Sequence, residues 1–114
     1  MPFVQAKLTV KLNESQKESL HSKIEKIIMK DLSKPLNYIM VGIEDNYCLY
    51  LAGKKLSSGA MISIQHYGGA SERAYDQITA KLSSVLKDEL NIDPAGIYIT
   101  YQRIDNWGFN GSNF

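Results

Sequence analysis

The sequence has little of what marks specialised protein classes. It contains one cysteine, Cys48, which excludes an internal disulfide framework and an all-cysteine metal site. Its 13 basic and 12 acidic side chains nearly balance, so the composition predicts no basic surface for nucleic acid. No apolar run approaches the roughly 18 residues that a membrane-spanning helix needs, and residues 1–7 lack the features of a signal peptide. We therefore expect a small cytoplasmic protein that binds neither nucleic acid nor membrane.

The residues that are present have the proportions of a globular domain. Hydrophobic residues make up 44% and charged residues 22% of the 114 positions, which is ordinary usage and predicts one domain over residues 1–114. His21 and His66 lie half a domain apart without the spacing of a metal site or a catalytic triad. We expect no metal and no cofactor, and we interpret His21 as a surface residue and Cys48 as an inert packing residue in a strand.

Hydrophobic periodicity predicts two amphipathic helices. Asn13 and Gln16 have the spacing of a capping box before the first helix, and Pro35 prevents its continuation. Ser71 is the predicted cap of a second helix that runs to about Leu90. The two apolar stripes consist of Leu20, Ile24, Ile27, Ile28 and Leu32 in the first helix and of Tyr75, Ile78, Leu82, Val85 and Leu86 in the second.

Strand-forming runs flank both helices. They cover residues 3–10, 38–43, 60–67 and 97–101, with a short strand over 47–51 and a loop over 52–59. The chain is thus an internal repeat, about 1–45 and 58–104, of strand, helix, proline loop and strand. This repeat predicts an α+β fold in which two βαβ units form a four-stranded mixed sheet, with both helices on one face and short edge strands. Ile62, Ile64 and Tyr98 suggest apolar side chains on both sheet faces, so we expect self-association to cover the second face.

Pro2 is the first candidate for chemistry. Removal of Met1 would make its secondary amine the chain terminus. An α-amine titrates near pH ~8, and desolvation lowers its pKa toward the value that suits a general base at neutral pH. The alternative is that a Met-Pro start has no chemical role.

A lysine and an aromatic tail are the other candidates. Lys34, held before Pro35, could bind a substrate carboxylate or could neutralise the end of the first helix. Trp107, Phe109 and Phe114 could form the wall of an apolar pocket or could serve in packing.

Several motifs in this order resemble one known family. They are Pro2, the segment Ser33-Lys34-Pro35 followed by Tyr38-Ile39-Met40-Val41, the pair Ser63-Ile64, the run Ile97-Tyr98-Ile99, and the ending Asn106-Trp107-Gly108-Phe109-Asn110-Gly111-Ser112 with Phe114. Together they resemble the macrophage migration inhibitory factor family, which includes D-dopachrome tautomerase and belongs to the tautomerase superfamily. The resemblance covers essentially the whole chain.

This resemblance implies a homotrimer with an active site between neighbouring subunits. It also implies a cofactor-independent keto–enol tautomerase, an isomerase acting on phenylpyruvate-like and dopachrome-like substrates. Pro2 would be the general base, and Lys34 would bind the substrate carboxylate with help from the Ile64 backbone. The remaining contacts implied by the resemblance are Tyr98 and Thr100 from the neighbouring subunit, and an aromatic wall of Tyr38, Trp107, Phe109 and Phe114.

The sequence departs from the family pattern in places. Thr100 stands where many relatives have an asparagine that contacts substrate, and its shorter side chain weakens that contact. Gln65, His66 and Tyr67 replace a glycine and an aliphatic residue, which changes the pocket rim or the entry to the second helix. The paired cysteines of vertebrate members are absent, which argues against thiol oxidoreductase activity.

Two other functions stay open at this stage. The first is a cytokine-like protein-interaction factor that binds a protein receptor, is secreted without a signal peptide and retains a secondary tautomerase activity. The second is dehalogenation or decarboxylation on the same proline, which would use extra arginine or acidic groups. The arginines of the chain are Arg73 and Arg103.

Overall fold

A computed structural model describes all 114 residues. The strands are β1 (Pro2–Leu8), β2 (Met40–Glu44), β3 (Tyr50–Leu51), β4 (Lys54–Lys55), β5 (Ala60–Tyr67), β6 (Ile97–Ile104), β7 (Gly108–Phe109) and β8 (Ser112–Asn113). The helices are α1 (Glu14–Asp31) and α2 (Glu72–Leu90), and single 3-10 turns at Leu36–Tyr38 and Pro94–Gly96 precede β2 and β6. No helix is long and apolar enough to cross a membrane.

Both helices begin at the predicted caps. The Asn13 side chain accepts the Gln16 N–H at 2.8 Å, and the Gln16 side chain accepts the Asn13 N–H at 2.9 Å, so the capping box is complete. Ser71 accepts the Ala74 N–H at the start of α2. The first helix ends at Asp31, before Pro35 removes the geometry and the donor that another turn would need.

The central sheet has the strand order β2-β1-β5-β6. β1 pairs parallel with β2, β5 pairs parallel with β6, and the two inner strands β1 and β5 pair antiparallel. Each parallel pair is joined through one helix, so two βαβ units meet at the middle of a mixed sheet. The predicted fold class is confirmed at the level of this subunit.

One face of the sheet packs against both helices. Alternate residues of β1 and β5 are buried on this face and meet the apolar stripes of the helices. Ile62 and Ile64 belong to this buried set, so of the three residues taken as a sign of two apolar faces only Tyr98 lies on the second face. The opposite face is mixed, with Met61 and Tyr98 beside polar residues such as Gln65 and Gln102, which contact each other.

Two short hairpins correct the sequence interpretation. The predicted strand over 47–51 is reduced to β3, and the predicted loop contains its partner β4. Ala52 and Gly53, at φ 54° and 79°, and Asn110 and Gly111, at φ 51° and 88°, form the two-residue turns of β3–β4 and β7–β8. Positive φ at both turn residues is typical of the hairpin turn that Asn-Gly favours. Cys48 lies outside β3 and is exposed, so its interpretation as a packing residue in a strand is wrong.

Candidate active site at the Pro2 end of the sheet

The candidate residues gather at one end of the sheet. We call this the Pro2 end, because β1 begins here where β5 ends, with Pro2 opposite His66. The loop that carries Lys34 enters β2 at this end, and the aromatic tail follows β6 here. The other end, where β1 finishes and Gly59 precedes β5, is called the Gly59 end.

A cleft of about 410 Å³ opens at the Pro2 end. The aromatic side chains of Tyr38, Trp107 and Phe109 contribute to its wall, and the Tyr38 and Phe109 rings meet edge to face at 5.6 Å. Pro2 itself is buried and lines the same cleft. The site therefore combines a chain terminus with an apolar slot suited to a planar aromatic molecule.

Lys34 is held beside the chain terminus rather than at a helix end. Its Nζ donates to the Tyr67 carbonyl oxygen at 2.8 Å. The N–H of Tyr67 donates in turn to the Met1 carbonyl oxygen at 3.0 Å. One residue of β5 thus connects the ammonium of Lys34 to the first peptide group, and Lys34 itself does not line the cleft.

The pKa of the terminal amine is shifted by its surroundings. Partial burial, and secondly the positive charge of Lys34, lower the pKa of the Met1 ammonium below its ordinary value of 8.0.

Three predicted contacts are placed differently within a single chain. The Ile64 side chain is buried in the core, which leaves its backbone as the only part able to face a ligand. Tyr98 and Thr100 lie exposed on β6, separated from β1 by β5, and neither lines the cleft. Tyr98 instead borders a small apolar depression of about 100 Å³ with Tyr50 and Met61.

The last aromatic residue supports the wall from behind. Phe114 does not line the cleft; its ring stacks on Phe109 at 6.2 Å and lies 5.8 Å from the Tyr67 ring. The β7–β8 hairpin places it there, closed by a hydrogen bond from the Phe114 N–H to the Trp107 carbonyl. The Asn110-Gly111 turn is the sequence signal that predicts this hairpin.

Sequence reasoning missed several residues of the site. Phe3, Asn37 and Met40 line the cleft without having been assigned to it, and only strand register and the turn before β2 bring them together. Gln65, which was expected at the pocket rim, also lines the cleft. His66 is buried and contacts Tyr75 of α2 at 2.6 Å. No group of three or more His, Cys, Asp or Glu side chains is placed to hold a metal ion.

The whole chain, residues 1–114, matches the sequence model of the macrophage migration inhibitory factor family. The chain belongs to this family. The recognition made from Pro2, the Lys34-Pro35 loop and the Trp107-Gly108-Phe109 ending is thereby confirmed. No curated protein sequence matches the chain.

Solved structures share the fold over nearly the full chain. The Leishmania major protein MIF2 has 23% sequence identity and a TM-score of 0.90, over 100% of this chain and 97% of that one. Macrophage migration inhibitory factor of Toxoplasma gondii has 24% identity and a TM-score of 0.89, over 98% and 99%. The wild-type fused 4-OT protein Q0, a symmetric trimer, has 12% identity and a TM-score of 0.84, over 96% and 93%. At these identities the similarity establishes the fold, which this chain shares with the three solved structures.

Proposed function

We propose that this member of the macrophage migration inhibitory factor family is a cofactor-independent keto–enol tautomerase. Its substrates would be aromatic 2-keto acids and their enols, of the phenylpyruvate and dopachrome type. The observation that carries the proposal is the position of Pro2, which is buried at an aromatic cleft. Tyr67 of β5 bonds both to the Lys34 ammonium and to the Met1 carbonyl that precedes Pro2. The fold and the family membership are consistent with this role, and the residues of the site supply a base, a cation and an aromatic wall for the proposed reaction.

The proposed reaction begins with removal of Met1, which frees the Pro2 nitrogen. The neutral amine takes a proton from the carbon next to the ketone, which leaves an enolate and a protonated amine, and the protonated amine then gives a proton to the enolate oxygen to form the enol. Lys34 binds the carboxylate and stabilises the negative charge that develops beside it. Tyr38, Trp107 and Phe109 orient the ring and exclude water, which strengthens these interactions.

The complete site would be formed in a homotrimer. The trimeric fused 4-OT structure supports this assembly, as do Tyr98 and Met40, whose side chains are 61% and 68% exposed on the uncovered sheet face. Tyr98 and Thr100 of a neighbouring subunit would then reach the cleft that they do not reach in their own chain. Sedimentation equilibrium measures the mass of the assembly. A mass three times that of one chain is expected, and the mass of a single chain would contradict the proposed homotrimer.

A mixing experiment tests the shared site. Pro2→Gly and Tyr98→Ala proteins, each weakly active, are unfolded together and refolded. In mixed trimers some sites receive both natural residues, so activity should rise above that of either parent. Activity equal to the mean of the two parents would contradict a site shared between subunits.

The amine base is tested with one preparation in two forms. Intact mass identifies chains with and without Met1, and enol–keto exchange of phenylpyruvate is followed for each. We expect the form with free Pro2 to be faster than the Met1-bearing form by about 100-fold or more, which is the range of general-base catalysis. Pro2→Gly, which keeps a free amine but loses the ring, should fall between them. Equal rates for processed and unprocessed protein would remove Pro2 as the base.

A further inference from the structure

The residue directly opposite Pro2 on the neighbouring strand is His66. The Tyr67 N–H bonds to the Met1 carbonyl on the adjacent rung, so Pro2 and His66 form a non-hydrogen-bonded antiparallel pair. This is the closer kind of pair, with Cα atoms about 4.5 Å apart. Both residues are buried on the helix face of the sheet. The imidazole of His66 therefore lies beside the pyrrolidine ring of Pro2.

One ring nitrogen of His66 has a hydrogen-bond partner, and the other has none. Its Nε2 lies 2.6 Å from the Tyr75 hydroxyl, and the Tyr75 ring stacks on Tyr101 at a centroid distance of 4.3 Å. The Tyr101 hydroxyl donates to the Tyr75 carbonyl at 3.0 Å. Tyr101 therefore holds Tyr75 in the position from which it contacts His66. The side chain is 0% exposed, and its Nδ1 is buried without a hydrogen-bond partner. An unpaired buried polar atom costs stability, and packing alone does not explain a histidine here.

Every charged group that bears on His66 is positive. Burial is the main cause that lowers the pKa of its imidazole, and Lys34 from the loop before β2 adds to it. Arg103 from β6 and the Met1 amine before β1 act in the same direction, while a hydrogen bond that the charged ring would make to the Gly68 backbone opposes them. The group from α2 is the Tyr75 hydroxyl, and none of these partners is a carboxylate. The imidazole is therefore neutral at neutral pH, beside an amine that must also be neutral to act as a base.

We propose that His66 is a positioning residue for Pro2, which holds the terminal ring in place as a neutral imidazole and couples its own protonation to that of the amine. The functional part of this inference rests on the proposed tautomerase. A proton on His66 places a further positive charge beside Lys34 and the amine. The two sites titrate as a coupled pair, so a charge on either disfavours a charge on the other.

The coupling is tested without any activity measurement. Cys48 allows a synthetic segment, residues 2–47, to be ligated to recombinant residues 48–114, with Pro2 either free or N-acetylated. The imidazole C–H signals of His66 and His21 are followed by NMR against pH in both full-length proteins. Neutralising the amine should raise the pKa of His66 by roughly one unit, the size expected for nearby charges in a partly buried site. His21, half-buried on α1 far from the Pro2 end, is the matched control and should not move. An unchanged His66, or equal shifts of the two histidines, overturns the coupling.

The positioning role is tested by substitution in the processed protein. His66→Gln keeps a hydrogen-bonding group for Tyr75 but does not titrate. In the unaltered protein the acid limb of kcat/KM for phenylpyruvate should fall with two protons, and in His66→Gln with one. An acid limb unchanged by His66→Gln overturns the role. If the free-Pro2 protein has no activity, the proposed function fails, while the NMR titration still decides the coupling.

Discussion

The Pro2 end and the Gly59 end of the sheet are made by equivalent parts of the two βαβ units, yet only one carries the candidate site. At each end a helix is followed by a proline loop that leads into an edge strand. At the Pro2 end this loop presents Lys34, which reaches across to Tyr67. At the Gly59 end it presents Asp93, whose carboxylate is used within its own turn and accepts the Ala95 N–H at 2.9 Å.

The Gly59 end of the sheet is filled by closely packed backbone. A Cβ on Gly96 would lie 2.7 Å from the Ser58 carbonyl oxygen, and a Cβ on Gly59 would lie 2.9 Å from that of Gly96. A groove of about 750 Å³ runs beside this packing, larger than the cleft at the Pro2 end, and it includes Lys54 and Lys87. Its lining contains no aromatic side chain and no chain terminus. The comparison teaches that cavity size alone does not identify the candidate site, because only the smaller cleft brings the chain terminus together with aromatic side chains.

The largest effect should come from the lysine that distinguishes the two ends. We expect Lys34→Ala to raise KM for phenylpyruvate by about 100-fold, because a charge-assisted hydrogen bond to the carboxylate contributes about 1.5–3 kcal/mol. Steady-state kinetics with the acid and with its methyl ester measure this, and the ester should be much less affected. Lys54→Ala, which removes the same charge at the Gly59 end, is the control. Equal losses in both variants would contradict a carboxylate site at Lys34.

The second largest effect should come from a substitution in the closely packed backbone at the Gly59 end. Gly96→Ala should lower the free energy of unfolding by about 2 kcal/mol, because the new methyl group meets backbone that has little room to move. Urea unfolding measures the change. Gly69→Ala, at the Pro2 end and with open space around its Cβ position, should be neutral within about 0.5 kcal/mol. If the two variants unfold alike, the Gly59 end is not closed by this packing.

The helix caps should contribute equally at both ends. Asn13→Ala at the Gly59 end and Ser71→Ala at the Pro2 end each remove one bond to a helix N–H. Each should cost about 1 kcal/mol of unfolding free energy, which thermal or urea denaturation detects. A much larger loss for Ser71→Ala would mean that the site itself depends on this cap.

The smallest effect concerns an acid-sensitive pair between the helices. Lys23, with a smaller contribution from Ser19, lowers the pKa of Glu89 below its ordinary 4.5, although burial opposes this. A carboxylate with a lowered pKa stabilises the fold above its unfolded pKa, and this contribution is lost as pH falls through the folded value. Glu89→Gln should therefore cost about 0.5 kcal/mol at pH 7 and nothing near pH 2. Unfolding curves at both pH values measure it. A pH-independent difference would show that Glu89 acts through packing.

Local signals in the sequence were sufficient for the regular elements. The capping box at Asn13, the cap at Ser71 and the stop before Pro35 depend on neighbouring residues, and so they could be predicted. The β3–β4 and β7–β8 hairpins were missed, although Asn110-Gly111 is a strong local signal for the second. The exposure of Cys48 could not be predicted, because the short run around it has strand composition but pairs only at Tyr50 and Leu51.

The residues of the candidate site could also be predicted only in part. Pro2, Lys34 and the tail aromatics were found from chain position and family motifs, since residue type and order are visible in a sequence. The strand partners Phe3 and Met40 were not assigned to it, because register decides which distant residues share a cleft. The burial of Ile62 and Ile64 on the helix face was also a matter of register, since the apolar run alone does not say which alternate set faces inward.

By itself, the sequence determined two capped amphipathic helices, a repeated strand–helix–strand pattern, and the proline, lysine and aromatic residues of the site. These depend on periodicity and on local hydrogen bonding, both of which a linear sequence contains. Only the tertiary structure decided that Tyr67 connects Lys34 to the first peptide group and that His66 lies beside Pro2. Those contacts span 33 residues and more along the chain, and they exist because antiparallel pairing of β1 with β5 fixes one register out of several.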